Sequence, residues 1–288
     1  MFMTLATLLI ASSALNAHTD TSFVVPQGAR LVVQNFGGDI VVKAWGKNAV
    51  RIQADHSERA QIGVGRSGSS FEVRATTRRG IPARVDYQIM APPWMALSLG
   101  GVYTDVSVEG FKSDIIAETV KGDVVVNGGE GLVRLTSVEG DVRSTGARGR
   151  IQASSVNQGV TIVDAIGDLT IEAVNGDVVL KRVMSKLLDA STVNGDVSFS
   201  GVIAEGGRYR FASHNGDLDV ALSTKVSATI SVSTYSGDFE SNFPVTLNET
   251  KKGRQFSFTL GSGKAVLDLE TFQGSINLRR SEAADEKE

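Results

Sequence analysis

The chain has 288 residues, a hydrophobic content of 41%, 31 glycines and a formal net charge of −3. That hydrophobic content excludes an intrinsically disordered chain, and the glycine count fits a protein with many turns. The near-neutral charge provides no basic field for nucleic acid, so no nucleic-acid partner is predicted. Because the chain has no cysteine, disulfides, thiolate metal sites and cysteine nucleophiles are excluded.

Residues 1–17 form a short apolar run that ends in small residues. This pattern is typical of a secretory signal peptide, with cleavage predicted after Ala17. A buried first strand or helix is the alternative, since the usual Lys or Arg at the start of a signal is missing. The run is too short to span a bilayer, and no other stretch is long and apolar enough. The sequence therefore predicts an exported protein of the periplasm or the cell surface that does not span the membrane.

Residues 18–100 are predicted to form an N-terminal β cap that also carries the first copy of a repeat. That copy runs from Leu31 to Val42 around Gly38. Three later runs alternate polar and apolar residues, as strands with one buried face do, and the Ser-Gly-Ser at residues 67–69 indicates a hairpin loop. We expect an antiparallel-rich cap, because the open end of a repeat array exposes core and strand edges.

Residues 101–280 are dominated by a unit with the pattern apolar-x-apolar-x-small-x-x-Gly-Asp-apolar-x-apolar. Counting the first copy, the corner glycines of the units are Gly38, Gly122, Gly140, Gly176, Gly195, Gly216, Gly237 and Gly274. A ninth, degenerate copy has Gln158-Gly159 in place of Gly-Asp. A period of about 20 residues indicates stacked structural units. The remaining residues, 281–288, are predicted to be a disordered charged tail.

Each unit is predicted to be a strand, a tight Gly-Asp corner and a second strand. If one period is one coil, equivalent residues of successive coils lie about 4.8 Å apart and pair as parallel strands. A β-propeller would need about 40 residues or more per blade, and an antiparallel meander would not need the same corner in every copy. The sequence therefore predicts an all-β parallel β-solenoid. We attribute the corner glycine to a positive φ, which glycine adopts without penalty.

The Asp residues that follow four successive corner glycines are predicted to form a ladder: Asp177, Asp196, Asp217 and Asp238. Stacked carboxylates offer Ca²⁺ the oxygen ligands that it prefers. Two unit charges about 4.8 Å apart in water repel by only about 1 kcal/mol, however, and amides of the corner can offset that by hydrogen bonding. Capping of the turn is therefore favoured over a metal site, and no cofactor is predicted.

Other candidate residues have simpler structural explanations. His214 is predicted to be a packed corner residue, and the arginines between Arg74 and Arg84 a solvated loop. Three aromatic residues are candidates for stacking against sugars or for packing: Trp45, Trp94 and Tyr103. The acidic residues outside the repeat form no recognisable catalytic pair: Asp55, Glu58, Asp86, Glu205 and Glu249. A carbohydrate-active β-helix enzyme, which needs paired carboxylates in one groove, is therefore the alternative and not the first choice.

From residue 24 to about residue 280 the chain resembles the DUF4097 family of bacterial β-strand repeat proteins, which carry the family label of putative adhesins. The resemblance rests on the first repeat followed by Trp45, on Tyr87 with Pro92-Pro93, on the Val-Asn-Gly-Asp-Val repeats, and on the Leu-Gly-Ser-Gly that begins at Leu260. It implies an exported, right-handed, β-helix-like fold at the cell envelope, with no established enzymatic activity and no agreed functional residues. Together with the long faces of a solenoid, it predicts a non-enzymatic binding or scaffolding protein. The partner classes that fit this shape are an envelope polysaccharide or another envelope protein.

Overall fold

The structure is a computed structural model that describes residues 16–77, 80, 82–244 and 255–280. Within those ranges the chain is all β, with 22 strands and no helix. Accordingly, no helix in the described part of the chain is long and apolar enough to cross a membrane. The predicted tail at residues 281–288, and all but the last two residues of the predicted signal peptide, lie outside the described residues.

The strands follow one another with short connections. The first eleven are β1 (Asn16–Val24), β2 (Arg30–Ala44), β3 (Ala49–Ser57), β4 (Ala60–Ser67), β5 (Ser70–Thr77), β6 (Val85–Ala91), β7 (Ala96–Phe111), β8 (Ile115–Lys121), β9 (Val124–Gly128), β10 (Glu130–Glu139) and β11 (Val142–Thr145). The other eleven are β12 (Arg148–Ser155), β13 (Val160–Val163), β14 (Ile166–Ala173), β15 (Val178–Asn194), β16 (Val197–Asn215), β17 (Leu218–Leu222), β18 (Ala228–Ser236), β19 (Phe239–Ser241), β20 (Gln255–Leu260), β21 (Ala265–Gln273) and β22 (Ile276–Arg280).

Successive repeats pair side by side as parallel strands, as the sequence predicts. Val133 of β10 lies opposite Ile115 of β8 on one side and Ile151 of β12 on the other. The second strands of the same repeats pair in the same way, β9 with β11 and β11 with β13. Equivalent residues of neighbouring coils therefore meet in register, and the all-β, solenoid-like fold is confirmed.

Inward-facing apolar side chains form continuous ladders inside the coils. Ile115, Val133, Ile151, Leu169 and Leu188 occupy equivalent positions on successive strands, and each is at most 1% exposed. Burying one side chain of this size contributes roughly 1.5–3 kcal/mol. A shift of one residue would turn every such side chain outward, so the ladders also hold the register.

The first repeat belongs to the same stack as the later ones. β2 pairs in parallel with β7, and Gly38 and Asp39 lie opposite Thr104 and Asp105. β2 also pairs in parallel with β5 and β6, whereas the antiparallel pairs of this region are β1–β3, β3–β6 and β4–β5. Residues 18–100 therefore mix both kinds of pairing, and β7 crosses the predicted boundary at residue 100. The predicted hairpin loop at residues 67–69 is confirmed by the pairing of β4 with β5.

The last coils are stacked in an order that differs from their order in the sequence. β21 pairs in parallel with β16 on one side and with β18 on the other, and β22 likewise lies between β17 and β19. The coil of Gly274 is thus inserted between the coils of Gly216 and Gly237. β20 runs antiparallel along the far edge of β18, which brings the chain back before β21 enters the gap.

The sequence predicts that the Gly-Ser-Gly-Lys at residues 261–264 is a hairpin turn and that it and the last repeat close the C-terminal end of the stack. The insertion corrects both predictions. The last repeat does not close the end of the stack, because another coil lies beyond it. The turn at residues 261–264 is not a hairpin between its neighbouring strands, because β20 and β21 flank β18 and pair with it rather than with each other.

Candidate binding face

The Asp that follows a corner glycine accepts a hydrogen bond from the next coil. The amide of Asp196 donates to Asp177 Oδ1 over 2.9 Å, and the amide of Asp217 donates to Asp196 Oδ1 over 2.8 Å. The same contact joins the amide of Asp141 to Asp123 Oδ1 over 2.8 Å. Each carboxylate thus satisfies a backbone amide at the corner, which explains why the unit carries Asp.

The predicted ladder of Asp177, Asp196, Asp217 and Asp238 is interrupted before its last member. Ser275 of the inserted coil lies between Asp217 and Asp238: its amide donates to Asp217 Oδ1 over 2.7 Å, and the amide of Asp238 donates to Ser275 Oγ over 3.4 Å. Among the described residues, no group of three or more His, Cys, Asp or Glu side chains is arranged to hold a metal ion. The four Asp residues are therefore not on four adjacent coils, and the first three accept hydrogen bonds from corner amides.

The Asp ladder also extends further towards the N-terminus than the Gly-Asp pattern indicates. The amide of Asp39 donates to Asp86 Oδ1 over 3.1 Å, and the amide of Asp123 donates to Asp105 Oδ1 over 2.8 Å. Neither Asp86 nor Asp105 follows a glycine, so the Gly-Asp pattern does not identify them as members of the ladder. The signal that identifies them is the second half of the unit, Asp-apolar-x-apolar, which both retain.

The corner glycine is required by the close approach of neighbouring coils. A Cβ at Gly216 would lie 1.9 Å from the carbonyl oxygen of Gly195, and a Cβ at Gly140 would lie 1.9 Å from that of Gly122. Gly140 does not have a positive φ, so the predicted need for a positive φ does not explain the glycine at that corner. Contact distance is therefore the common cause, and a positive φ is only an additional one at some corners.

The small residue three positions before the glycine is a buried hydroxyl in most coils. Ser137 Oγ donates to the carbonyl of Gly122 over 2.8 Å, and Ser155 Oγ donates to that of Gly140 over 2.9 Å. The corresponding hydroxyls that donate to a carbonyl of the adjacent coil are Thr119, Thr192, Ser213, Thr234 and Thr271. The interior of the corner is therefore occupied by structural contacts.

The residue two positions before the corner glycine faces solvent and is mostly apolar. We call this row the apolar ladder, and in spatial order its members are Val120, Val138, Val156, Val174, Val193, His214, Phe272 and Tyr235. Its valines are 36% to 48% exposed. Contiguous exposed apolar surface is typical of interaction sites, so the apolar ladder is a candidate for one.

The C-terminal end of the apolar ladder is a stack of three aromatic rings. The rings of His214 and Phe272 have centroids 4.8 Å apart at an angle of 4°, and those of Phe272 and Tyr235 are 4.8 Å apart at 6°. The insertion of the last coil is what places Phe272 between its two partners. His214 is thus packed against a ring as predicted, but at an exposed corner.

The outward side of the first strands of the coils forms one continuous face, which we call the outer face. Glu118, Thr136 and Ser154 are neighbours across its strands. Three open grooves lie along it, of about 350 Å³ beside Glu118, about 230 Å³ beside Arg134, and about 790 Å³ beside the aromatic stack. The apolar ladder borders the outer face on the side of the corner.

The largest groove, which we call the C-terminal groove, has an electrically balanced lining. Among the described residues of its lining, the acidic and basic ones are Glu270 and Arg210, whose carboxylate and guanidinium lie 3.3 Å apart. Arg210 also lies 3.4 Å from the carboxylate of Asp189. Short polar side chains such as Ser191 and Ser233 supply much of the remaining lining. The groove therefore offers hydrogen-bonding groups without a net positive charge.

The two tryptophans are not arranged as open stacking surfaces. The indole N–H of Trp45 donates to the carbonyl of Ala49 over 2.7 Å, and the ammonium of Lys47 lies 5.1 Å from the centre of the ring. The indole N–H of Trp94 donates to Asn48 Oδ1 over 3.4 Å. Both rings are therefore used in holding one loop near the N-terminal end of the stack.

Tyr103 lies near the N-terminal end of the apolar ladder and is 57% exposed. Its ring meets that of Phe36 edge to face, with centroids 5.6 Å apart. Its surroundings thus differ from those of Tyr235, which is supported by parallel rings.

The arginine-rich segment does not form a concentrated basic surface from its described residues. Arg74 pairs with Glu72, and Arg84 lies 3.3 Å from the carboxylate of Asp86. Residues 78 and 79 lie outside the described residues. The two described arginines are therefore neutralised by neighbours on the same strand or next to it.

The acidic residues outside the repeat are dispersed over the molecule. Asp55 accepts a hydrogen bond of 2.8 Å from His18 at the N-terminal end, and Glu205 lies 2.6 Å from the ammonium of Lys264 near the C-terminal end. Asp86 belongs to the Asp ladder, and Glu249 lies outside the described residues. None of these pairs places two carboxylates in one groove.

The family of the chain follows from the repeat unit together with this parallel stack. The family model described as Toastrack DUF4097 matches residues 28–279. The chain belongs to the Toastrack DUF4097 family. No functionally curated protein matches it.

Among solved structures, the chain is similar to a putative adhesin from Bacteroides fragilis, with 11% identity and a TM-score of 0.41 over 92% of this chain and 97% of that one. It is also similar to a putative adhesin from Parabacteroides merdae, with 7% identity and a TM-score of 0.39 over 92% and 96%. A putative lipid binding protein from Parabacteroides distasonis has 6% identity and a TM-score of 0.37 over 92% and 97%. Likeness of this degree does not carry a function from one protein to another.

Proposed function

We propose that this Toastrack chain is an exported, non-enzymatic binding module that holds an extended partner against its outer face. The observation that carries the proposal is the alignment of three grooves along one face, the first and the last of which are lined in part by the apolar ladder. Sites on rigid strands hold their side chains more accurately than sites on loops, which suits a recognition surface. The partner classes that fit a long, straight face are an envelope polysaccharide or an extended segment of another envelope protein.

The absence of enzymatic activity is part of this proposal and is supported by the use that the chain makes of its carboxylates. Hydrolysis of a glycosidic bond by the usual route needs two carboxyl groups that flank the bond. Asp177 and Asp196 each accept an amide hydrogen bond at the corner. The described residues that line the C-terminal groove include one carboxylate, that of Glu270, and it is paired with Arg210.

The proposal has three further parts: the protein is exported, its coils wind in a right-handed direction, and residues 18–100 cap one end of the stack. Export rests on the apolar run at residues 1–17 and leads to the periplasm or the cell surface. A right-handed winding is supported by the strong preference for right-handed connections between parallel strands. The role of residues 18–100 as a cap is supported by the antiparallel strands β1, β3 and β4, which cover strand edges near that end of the stack.

A site-specific photo-crosslinking experiment tests the proposal. A photoreactive residue replaces Thr170 on the outer face, and a matched control replaces Thr145, which is exposed on the second strand of another coil. We expect envelope material to be captured from Thr170 and not from Thr145. Equal capture at both positions, or none at either, would contradict a binding role for the outer face. N-terminal sequencing of the protein from the envelope fraction tests export, and it should begin at His18.

A further inference from the structure

Tyr235 ends the aromatic stack with one ring face covered and the other open. Phe272 stacks on one side at 4.8 Å, and Tyr235 is nevertheless 75% exposed, against 40% for Phe272. Because Phe272 already covers one face, an exposure this high means that little covers the opposite face. The open face of Tyr235 is therefore presented to solvent at the border of the C-terminal groove.

The stack behind Tyr235 fixes the orientation of its ring. The ring planes of His214, Phe272 and Tyr235 are nearly parallel, with successive angles of 4° and 6°. A ring that is already held in place loses less conformational entropy when a ligand packs against it. An exposed tyrosine is usually mobile, so this arrangement is the preorganisation expected of a platform rather than of an ordinary surface residue.

The neighbouring groove specifies the chemistry of a ligand. Ser191, Ser233 and Gln255 provide hydroxyl and amide groups, and the charges of Arg210 and Glu270 offset each other. A ligand that combines an apolar ring face with several hydroxyl groups and no net charge matches such a lining. Nucleic acid does not, since the described residues that line the groove carry no excess of positive charge.

We propose that Tyr235 and the C-terminal groove bind a sugar ring of a neutral polysaccharide. The C–H groups of one pyranose face, which carry a partial positive charge, meet the negative face of the Tyr235 ring. The hydroxyls of the sugar then point towards Ser233 and the paired charges of Arg210 and Glu270. This inference rests on the proposed function, because it specifies the partner that lies against one end of the outer face.

Binding to an oligosaccharide array tests the inference, followed by calorimetry with the best probe. The array carries neutral hexose and N-acetylhexosamine oligosaccharides beside uronic-acid oligosaccharides of matched length. We expect the intact protein to bind neutral probes in preference to acidic ones. Tyr235→Ala should weaken that binding by about tenfold, and Tyr235→Phe, which retains the ring, should largely preserve it.

Tyr103→Ala is the matched control, because Tyr103 is also exposed but lies at the other end of the apolar ladder. It should leave sugar binding unchanged. The inference is overturned if no neutral probe binds, if acidic probes bind equally well, or if Tyr235→Ala and Tyr103→Ala weaken binding equally. It is also overturned if Tyr235→Ala changes only self-association in sedimentation or binding to an aromatic peptide.

Thermal melting of every variant verifies that it is folded. The crosslinking experiment at Thr170 separates the two proposals. Capture at Thr170 without neutral-sugar binding overturns the inference and leaves the proposed function standing. Failure of both experiments overturns both.

Discussion

The amide of Ser275 donates a hydrogen bond of 2.7 Å to the carboxylate of Asp217, although the two residues are 58 positions apart. This contact joins the last repeat to the coil of Gly216. The two strands of the last repeat, β21 and β22, are each paired with a strand on both edges. The inserted coil also supplies Phe272, the central ring of the aromatic stack. The insertion therefore holds the C-terminal coils together and completes the candidate binding site.

Removing the carboxylate of Asp217 should destabilise this junction. In Asp217→Ala the amide of Ser275 loses its acceptor, so we expect the free energy of unfolding to fall by about 1 kcal/mol. The loss is no larger because the site is exposed and water partly replaces the lost hydrogen bond. Urea unfolding measures the change. Asp268→Ala, at an exposed position on the coil that carries Ser275, is the control and should alter stability by less than about 0.5 kcal/mol. Equal effects of the two substitutions would show that the contact with Ser275 contributes nothing.

A methyl group at a corner glycine should be far more costly than one at an exposed glycine. In Gly216→Ala the new Cβ would lie 1.9 Å from the carbonyl oxygen of Gly195, so two coils must separate locally. We expect a loss of at least about 3 kcal/mol, the upper end of ordinary overpacking, because the clash is with backbone. Gly46→Ala is the control, since no heavy atom lies within 4 Å of its Cβ position. Thermal melting of the two variants compares them, and similar melting temperatures would contradict the close-approach explanation.

The sequence predicts the local geometry of the stack well and its coil order poorly. The in-phase repeat was sufficient to predict parallel pairing, the corner and the hydrogen-bonding role of Asp177 and Asp196. The order of the last coils depends instead on which strand edges are free when the chain returns. No local pattern near Gly274 records that choice, since its unit alternates like the others.

The candidate site was only partly predictable for a related reason. Alternation along the strand implies that the residue after the buried small residue faces outward, so the exposure of Val138 and Val174 could be inferred from Ser137 and Ala173. The aromatic stack could not, because His214, Phe272 and Tyr235 become neighbours only through the insertion. The sequence therefore predicts a corner position for His214 without revealing the rings that stack beside it.

The buried hydroxyls should make a measurable contribution to each corner. Ser137→Ala removes the donor to the carbonyl of Gly122, and we expect it to lower the free energy of unfolding by about 1 kcal/mol. The coil of Gly176 carries Ala173 at this position and so lacks the hydroxyl.

Ala173→Ser is the reciprocal change, because it supplies a donor where the other coils have one. It should leave stability unchanged or raise it by up to about 1 kcal/mol. Chemical denaturation of both variants against the unsubstituted protein measures these effects. A stabilising Ser137→Ala together with a strongly destabilising Ala173→Ser would contradict the role of the hydroxyls.

Tyr87 should make the protein sensitive to alkaline pH. Its side chain is fully buried, its hydroxyl has no hydrogen-bond partner among the described residues, and burial raises its pKa from 10.0 to about 12. Stability from the neutral phenol is complete below pH 10, the pKa in the unfolded chain, and is lost as pH rises through about 12. The full loss is roughly 2–3 kcal/mol.

In Tyr87→Phe this loss should disappear, while stability at pH 7 should hold or rise by about 1 kcal/mol, since a buried hydroxyl without a partner is removed. Urea unfolding from pH 8 to pH 11.5 measures both effects. Tyr209, whose pKa burial also raises, is unchanged in the variant and accounts for the residual slope. If the two proteins lose stability in parallel above pH 10, another group controls the alkaline transition.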